Sequence, residues 1–308
     1  MTTMWPEEYE GLRDEARAMA DAIRELMGAD AATMPTDTAG RVAAERAMMR
    51  SFEVESPDGT DEVVAGVPCR VFRVASPRGT YVHFHGGAMM LGSPRMNDVG
   101  NAEIAKALGV DVVSVDYRLA PEYPFPAGSD DCLAVTEAVL DSTDGPVVVG
   151  GESAGGYYAA LTLLRVRDEL GAIDRITGAN LVFGVYDLSG TPSGTGIRPS
   201  DVADMLDPEL SGFVLECYLP GVTPLESRAP QYSPLYADLH DMPPALFTVG
   251  SADHLLDDTL FMAARWQAWG NEAEVAVYPD CIHGFVAFPM ELGKRARERI
   301  GTFLDRCF

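Results

Sequence analysis

Short runs of β-branched residues recur along this chain, and segments of helical length separate them. "VDVVSVDY" (110–117) and "PVVVGG" (146–151) are apolar with little alternation, which suits strands covered on both faces. "CRVFRVAS" (69–76), "TYVHFHGG" (80–87), "GANLVFGVYD" (178–187), "PALFTVGSAD" (244–253) and "EAEVAVYPD" (272–280) continue the series. Helical patterns fall between them, near 97–108, 128–140, 154–170 and 257–269, with a last one near 290–305. Strand–helix alternation of this kind specifies an α/β architecture: a mostly parallel central sheet with helices on both faces.

Two regions stand outside that rhythm. Tyr9, Leu12, Ala16, Met19, Ile23 and Leu26 recur at helical spacing over 8–28, and Gly28 is a natural stop. A second helix is expected after Pro35, running toward Ser51. Residues 1–50 therefore read as α-helical cap elements. Residues 188–230 form a long insertion rich in Gly, Pro and Ser, of the kind used for lids and binding loops. The α/β core is then 51–187 together with 231–308.

Composition narrows the function. A net charge of −24 over 308 residues repels phosphate backbones, so nucleic acid is not an expected partner. No apolar run approaches the roughly 20 residues needed to span a bilayer. The N-terminus "MTTMWPEEYEGLRDEARAMA" lacks the basic-then-apolar pattern of a signal peptide. Cys69, Cys132, Cys217, Cys281 and Cys307 are odd in number and show no C-x-x-C spacing, which suggests neither disulfides nor a zinc site. The expected location is the cytoplasm.

The densest glycine cluster is "VGGESAGG" (149–156), between a strand pattern and a helix pattern. It fails the dinucleotide fingerprint G-x-G-x-x-G, and it has no lysine for a phosphate-binding loop. It fits G-x-S-x-G, with Ser153 at the centre. In a strand–turn–helix context this is a nucleophile elbow: a sharp turn lifts the serine clear of the sheet, and small neighbours leave it room. Earlier, "HFHGGAMMLGS" places Gly86, Gly87 and Ala88 in a loop after a strand. Such a loop can aim backbone N–H groups at the oxyanion of acyl transfer, joined by the N–H of Ala154.

These two motifs, with "VDYRLAPEYPFPAG" (115–128), "ADHLLDD" (252–258) and "HGF" (283–285), resemble the hormone-sensitive-lipase-like family of α/β-hydrolase carboxylesterases over residues 65–305. The resemblance implies the α/β-hydrolase fold and a triad in the chain order Ser, Asp or Glu, His. His283 follows the last strand and would be the base. His83 and His85 precede the serine, His240 lies in a proline-flanked loop, and His254 adjoins the candidate acid. Asp253 ends its strand and would be the acid, with Asp257, Asp258 and Asp280 as rivals. Asp253 would hold the His283 tautomer, and His283 would carry the proton. This chain departs from the family at two places. Ala88 stands where a third loop glycine is usual, at a cost of about 1–2 kcal/mol if the position is left-handed. Glu152 replaces the usual Asp or Thr before the nucleophile and is expected to vary the elbow without becoming a second catalytic acid.

Met89 and Met90, which follow the loop, together with Trp5 and Phe213, are candidate walls of an apolar acyl pocket. Ordinary core filling competes with that reading for the methionines. Arg118 and Glu122 are expected to pair with each other behind the site. His83 and His85 could share a metal, but no carboxylate or cysteine cluster joins them, and His85 is better read as a brace for the loop. No metal and no cofactor is expected. The resemblance implies a small-molecule ester of short to medium acyl chain as substrate, with a homodimer through the last strand and helix as a further option. An amidase, a lactonase or a specialised drug or natural-product ester hydrolase would use the same triad. A non-catalytic small-molecule receptor on this fold is a remote alternative, disfavoured by His283.

Overall fold

The computed structural model describes residues 4–31, 35–197, 199–202 and 208–308, and its centre is one eight-stranded sheet. The strands are β1 (Gly59–Val64), β2 (Val67–Phe72), β3 (Thr80–Phe84), β4 (Asp111–Val115), β5 (Val147–Glu152), β6 (Ile176–Val182), β7 (Ala245–Gly250) and β8 (Ala273–Tyr278). Their order is β1-β2-β4-β3-β5-β6-β7-β8. β2 runs antiparallel to both β1 and β4, and every other pair is parallel.

Helices α1 (Arg13–Ala31) and α2 (Thr38–Arg50) precede the sheet. α3 (Asp98–Leu108), α4 (Ala127–Ser142), α5 (Ala154–Arg165), α6 (Pro208–Tyr218), α7 (Leu256–Ala268) and α8 (Glu291–Cys307) follow. Successive strand residues alternate between two cores, as the period of a strand requires. Val113, Val147, Val149 and Leu181 pack under α4, α5 and α7 through residues such as Leu133, Tyr157 and Trp266. Val112, Val148, Val182 and Leu246 pack on the other face under α3 and α8 through Ala105, Leu292 and Phe303. Burial on both faces is why the strand sequences read as continuous apolar runs.

Several local features differ from the sequence expectation. β1 was not anticipated because it is a largely exposed edge strand, with Val63 72 % accessible, and carries no apolar face. The first helical pattern divides into a 3-10 segment (Glu7–Leu12) and α1, which extends past Gly28. The 188–230 insertion contains α6, whose apolar residues were masked by the Gly- and Pro-rich sequence around it.

The sheet order positions the site. β3 lies between β4 and β5, with Phe84 opposite both Val115 and Gly151. The loop leaving β3 and the turn leaving β5 therefore emerge side by side at the carboxyl edge of the sheet. Chain crossovers diverge there, which is where open α/β sheets place ligands.

Candidate active site

Ser153 forms the turn between β5 and α5 with φ +57° and ψ −118°. Non-glycine residues rarely adopt that conformation, and it persists only where surrounding structure enforces it. The enforcing contacts are short. Ser153 N–H donates to the Val182 carbonyl at 2.9 Å. A Cβ at Gly151 or Gly155 would overlap the Phe84 carbonyl oxygen, and one at Gly156 would meet the Gly184 backbone. The glycines let β3, β6 and α5 close around the serine.

His283, on the loop after β8, places Nε2 2.9 Å from Ser153 Oγ. Its Nδ1 lies 3.1 and 3.0 Å from the two carboxylate oxygens of Asp253. With Nδ1 protonated, the ring donates to Asp253 and accepts from the serine hydroxyl. Asp253 is fully buried and also accepts from Leu255 N–H at 2.8 Å. The Phe183 ring packs edge-on against His283 with centroids 4.8 Å apart. His254 Nδ1 sits 3.3 Å from Asp253 Oδ1. Among the described residues, Asp253, His254 and His283 also form a group whose ligand atoms could hold an ion. Both His283 nitrogens and the Asp253 carboxylate already have partners within that group and at Ser153.

The loop after β3 lies against the elbow: a Cβ on Gly86 would meet the Ser153 Cβ. Gly87, Ala88 and Met89 all have positive φ, at +126°, +52° and +59°. Ala88 thus holds the left-handed conformation that its missing glycine would have adopted freely. The loop closes through Leu91 N–H to Gly87 O at 2.7 Å. The N–H groups of Gly87, Ala88 and Ala154 donate to no backbone acceptor among the described residues. His85 braces the loop. Its ring stacks on Tyr117 at 4.2 Å, and its Nδ1 bonds the Gly86 carbonyl at 2.7 Å. Burial drives its pKa down to about 3, against the opposing pull of the Gly86 carbonyl, so it is neutral.

His83 faces different partners, so the two histidines share no ligand direction. Its Nε2 bonds Glu152 at 2.9 Å, and its Nδ1 bonds Ser114 at 2.8 Å. Asn97 donates a second bond to Glu152 at 3.2 Å. The glutamate before the nucleophile is thereby anchored to β3 and the start of α3.

The rival carboxylates are occupied elsewhere. Asp258 accepts from Tyr186 N–H, Asp187 N–H and Thr191 Oγ1 at 2.7, 2.8 and 2.7 Å, shaping the start of the insertion. Burial raises its pKa to about 6, with those three bonds pulling the other way. Asp257 accepts from Ser193 N–H. Asp280 binds Arg13, Arg17 and Ser200. Burial pushes its pKa up, but those partners outweigh it and hold it below the usual range.

Arg118 and Glu122 do not pair with each other. Arg118 turns to α4 and binds Asp131, with Nη2 2.8 Å from Oδ1. Glu122 faces α2 and receives both Arg46 Nη atoms at 2.8 Å. Arg46 also donates to the Met90 and Ala120 carbonyls, which ties the N-terminal region to the glycine loop. Met89 and Met90 are fully buried in the core beneath that loop. Phe213 is half-buried on α6, with the Arg41 guanidinium 4.2 Å from its ring centroid. Trp5 packs at the margin of the core under α3 and α8 and donates to Glu10.

Comparison with known proteins bears on the fold and the family. Residues 81–287 match a family model described as the alpha/beta hydrolase fold. The carboxylesterase NlhH of Mycobacterium tuberculosis is 34 % identical over 225 residues, covering 68 % of this chain and 67 % of that protein. The acetyl-hydrolase of Streptomyces hygroscopicus is 30 % identical over 270 residues, covering 86 % and 88 %. Among solved structures, the hyperthermophilic esterase of Pyrobaculum calidifontis superposes with a TM-score of 0.80 at 27 % identity, covering 92 % of this chain and 97 % of that one. A hormone-sensitive lipase from a metagenome library gives 0.81 at 27 %, covering 94 % and 98 %. Among the described residues no helix is long and apolar enough to cross a membrane. The chain belongs to the hormone-sensitive-lipase-like esterases of the α/β-hydrolase family.

Proposed function

We propose that the protein hydrolyses short- to medium-chain carboxylic esters through an acyl-enzyme on Ser153. The observation that carries this reading is the unbroken hydrogen-bonded line from Ser153 Oγ through His283 to Asp253.

The chemistry follows from that line. Ser153 Oγ attacks the ester carbonyl carbon as its proton passes to His283 Nε2. The carbonyl electron pair moves onto oxygen, where N–H groups of Gly87, Ala88 and Ala154 stabilise the charge, with Gly86 giving the loop its approach. Each such donor is worth on the order of 10²–10³ in rate. Collapse re-forms the carbonyl, breaks the carbon–oxygen bond to the alcohol and returns the proton from Nε2 to the departing oxygen. Water then repeats the sequence on the acyl-serine and releases the acid. Asp253 stabilises the imidazolium formed in both halves.

Phe213 on α6 is proposed as a wall of the acyl pocket, with Trp5 at its N-terminal margin. Met89 and Met90 would set its shape from behind the glycine loop. A homodimer would use β8, the edge of the sheet opposite β1, together with α8.

An alkyl p-nitrophenyl phosphonate tests the nucleophile. Attack by Ser153 Oγ forms an oxygen–phosphorus bond and expels p-nitrophenolate. Mass spectrometry should find one phosphonyl group per chain, on the peptide containing Ser153, and none in Ser153→Ala. A label on another residue, or none on a folded chain, would overturn the reading.

A further inference from the structure

Asp280 lies three residues before His283 and carries φ +54°, a conformation glycine would adopt without strain. Its side chain is 2 % exposed, and three groups from outside its own loop converge on it. Arg13 and Arg17, one turn apart on α1, direct their Nε atoms to Oδ2 at 2.9 and 2.7 Å. Ser200 Oγ, from the insertion, donates to Oδ1 at 3.0 Å. Arg17 also reaches Asp201 at 3.0 Å.

The contact extends to the acid loop. Asp280 N–H donates to Ser251 Oγ at 2.8 Å, and Ala252 N–H donates to the Cys281 carbonyl at 3.1 Å. Ala20 of α1, Val202 of the insertion, Ala252 and Ile282 form a small separate core. Ala252 immediately precedes Asp253, and Ile282 immediately precedes His283. On the other side, Tyr9 stacks on Tyr278 with centroids 5.4 Å apart. The N-terminal helix is therefore docked on the two loops that carry the acid and the base, and one buried carboxylate is the charged centre of that docking.

We infer that Asp280 is a positioning residue for His283, and that α1, clamped to it by Arg13 and Arg17, holds the base in line with Ser153. A helix that merely roofed the substrate pocket would need no buried ion pair to the catalytic loop. A strained aspartate occupies a place suited to glycine, and among the described residues its carboxylate hydrogen-bonds to α1 and the insertion. The inference rests on the proposed ester hydrolysis.

The consequence is specific. His283 serves acylation and deacylation alike, so loosening it lowers kcat and kcat/KM by the same factor for every acyl chain. Loss of a roof would instead raise KM or change chain-length preference. Asp280→Gly removes the carboxylate while suiting the backbone. Arg13→Ala/Arg17→Ala removes the clamp from the other side and leaves the loop sequence intact. Both should lower kcat about 10- to 100-fold on acetate and longer esters alike, with KM within about twofold of wild type. Backbone amides of 280–285 should exchange faster with deuterium in both variants, and Arg13→Lys/Arg17→Lys should recover most of the rate. A kcat within about threefold of wild type, a change confined to KM or chain length, or unchanged exchange over 280–285 would overturn the inference. Failure of the esterase reading would look different: the wild type itself would show no Ser153-dependent turnover, while exchange would still report the clamp.

Discussion

Both carboxylate oxygens of Asp253 lie within 3.1 Å of His283 Nδ1. An asparagine at 253 would present an amide where the ring needs an acceptor, favouring the wrong tautomer and leaving the imidazolium unstabilised. Asp253→Asn should therefore lower kcat by about 10⁴ with little effect on folding. Steady-state kinetics on a soluble aryl ester, beside circular dichroism, checks this. A near-wild-type rate would remove Asp253 as the acid.

Ala88 adopts φ +52° within the glycine loop. A left-handed alanine is strained, whereas glycine there loses only extra unfolded-chain entropy. Ala88→Gly should raise stability by up to about 1 kcal/mol. Urea denaturation measures the difference, and a loss of stability would show that the alanine methyl packs productively.

Asp258 is a buried acid whose pKa is raised to about 6. Such a group stays neutral more readily in the folded chain than in the unfolded one. Its contribution is complete below about pH 4 and is lost as pH rises through 6, an effect of about 3 kcal/mol. Asp258→Asn keeps an oxygen for the two backbone donors and cannot ionise. Its stability relative to wild type should improve from pH 4 to pH 7.5 in urea titrations. A gap that stays constant across that range would contradict the assignment.

A Cβ at Gly155 would overlap the carbonyl oxygen of Phe84, whose strand β3 is paired on both sides. Gly155→Ala should destabilise the fold by about 1–3 kcal/mol and displace the Ser153 turn. The paired readout is thermal unfolding and turnover. A variant as stable and as active as wild type would show that the elbow tolerates more bulk than its geometry implies.

The parts of this site legible in the sequence are those written in local patterns. The strand runs are continuous because both faces are buried, so they announce the sheet. The elbow around Ser153 and the loop 86–88 are short because steric closeness demands glycine at fixed spacing. What joins residues distant in the chain was not legible. Arg46 meets Glu122 across 76 positions, and Arg17 meets Asp280 across 263. Arg118 sits near Glu122 in sequence, yet its side chain turns to Asp131 on α4. Phe183 against His283 gave no sequence signal, because an aromatic ending a strand reads as ordinary core. His83 with Glu152 was similarly hidden: each is unremarkable until β3 and β5 are neighbours.

The proposed function stands on Ser153 as the nucleophile. The most direct measurement is hydrolysis of p-nitrophenyl esters from acetate to palmitate by wild type and Ser153→Ala side by side. The proposed function predicts turnover strongest on short to medium acyl chains and abolished in the variant. Hydrolysis that survives in Ser153→Ala, or folded wild type inactive on every ester, would contradict it.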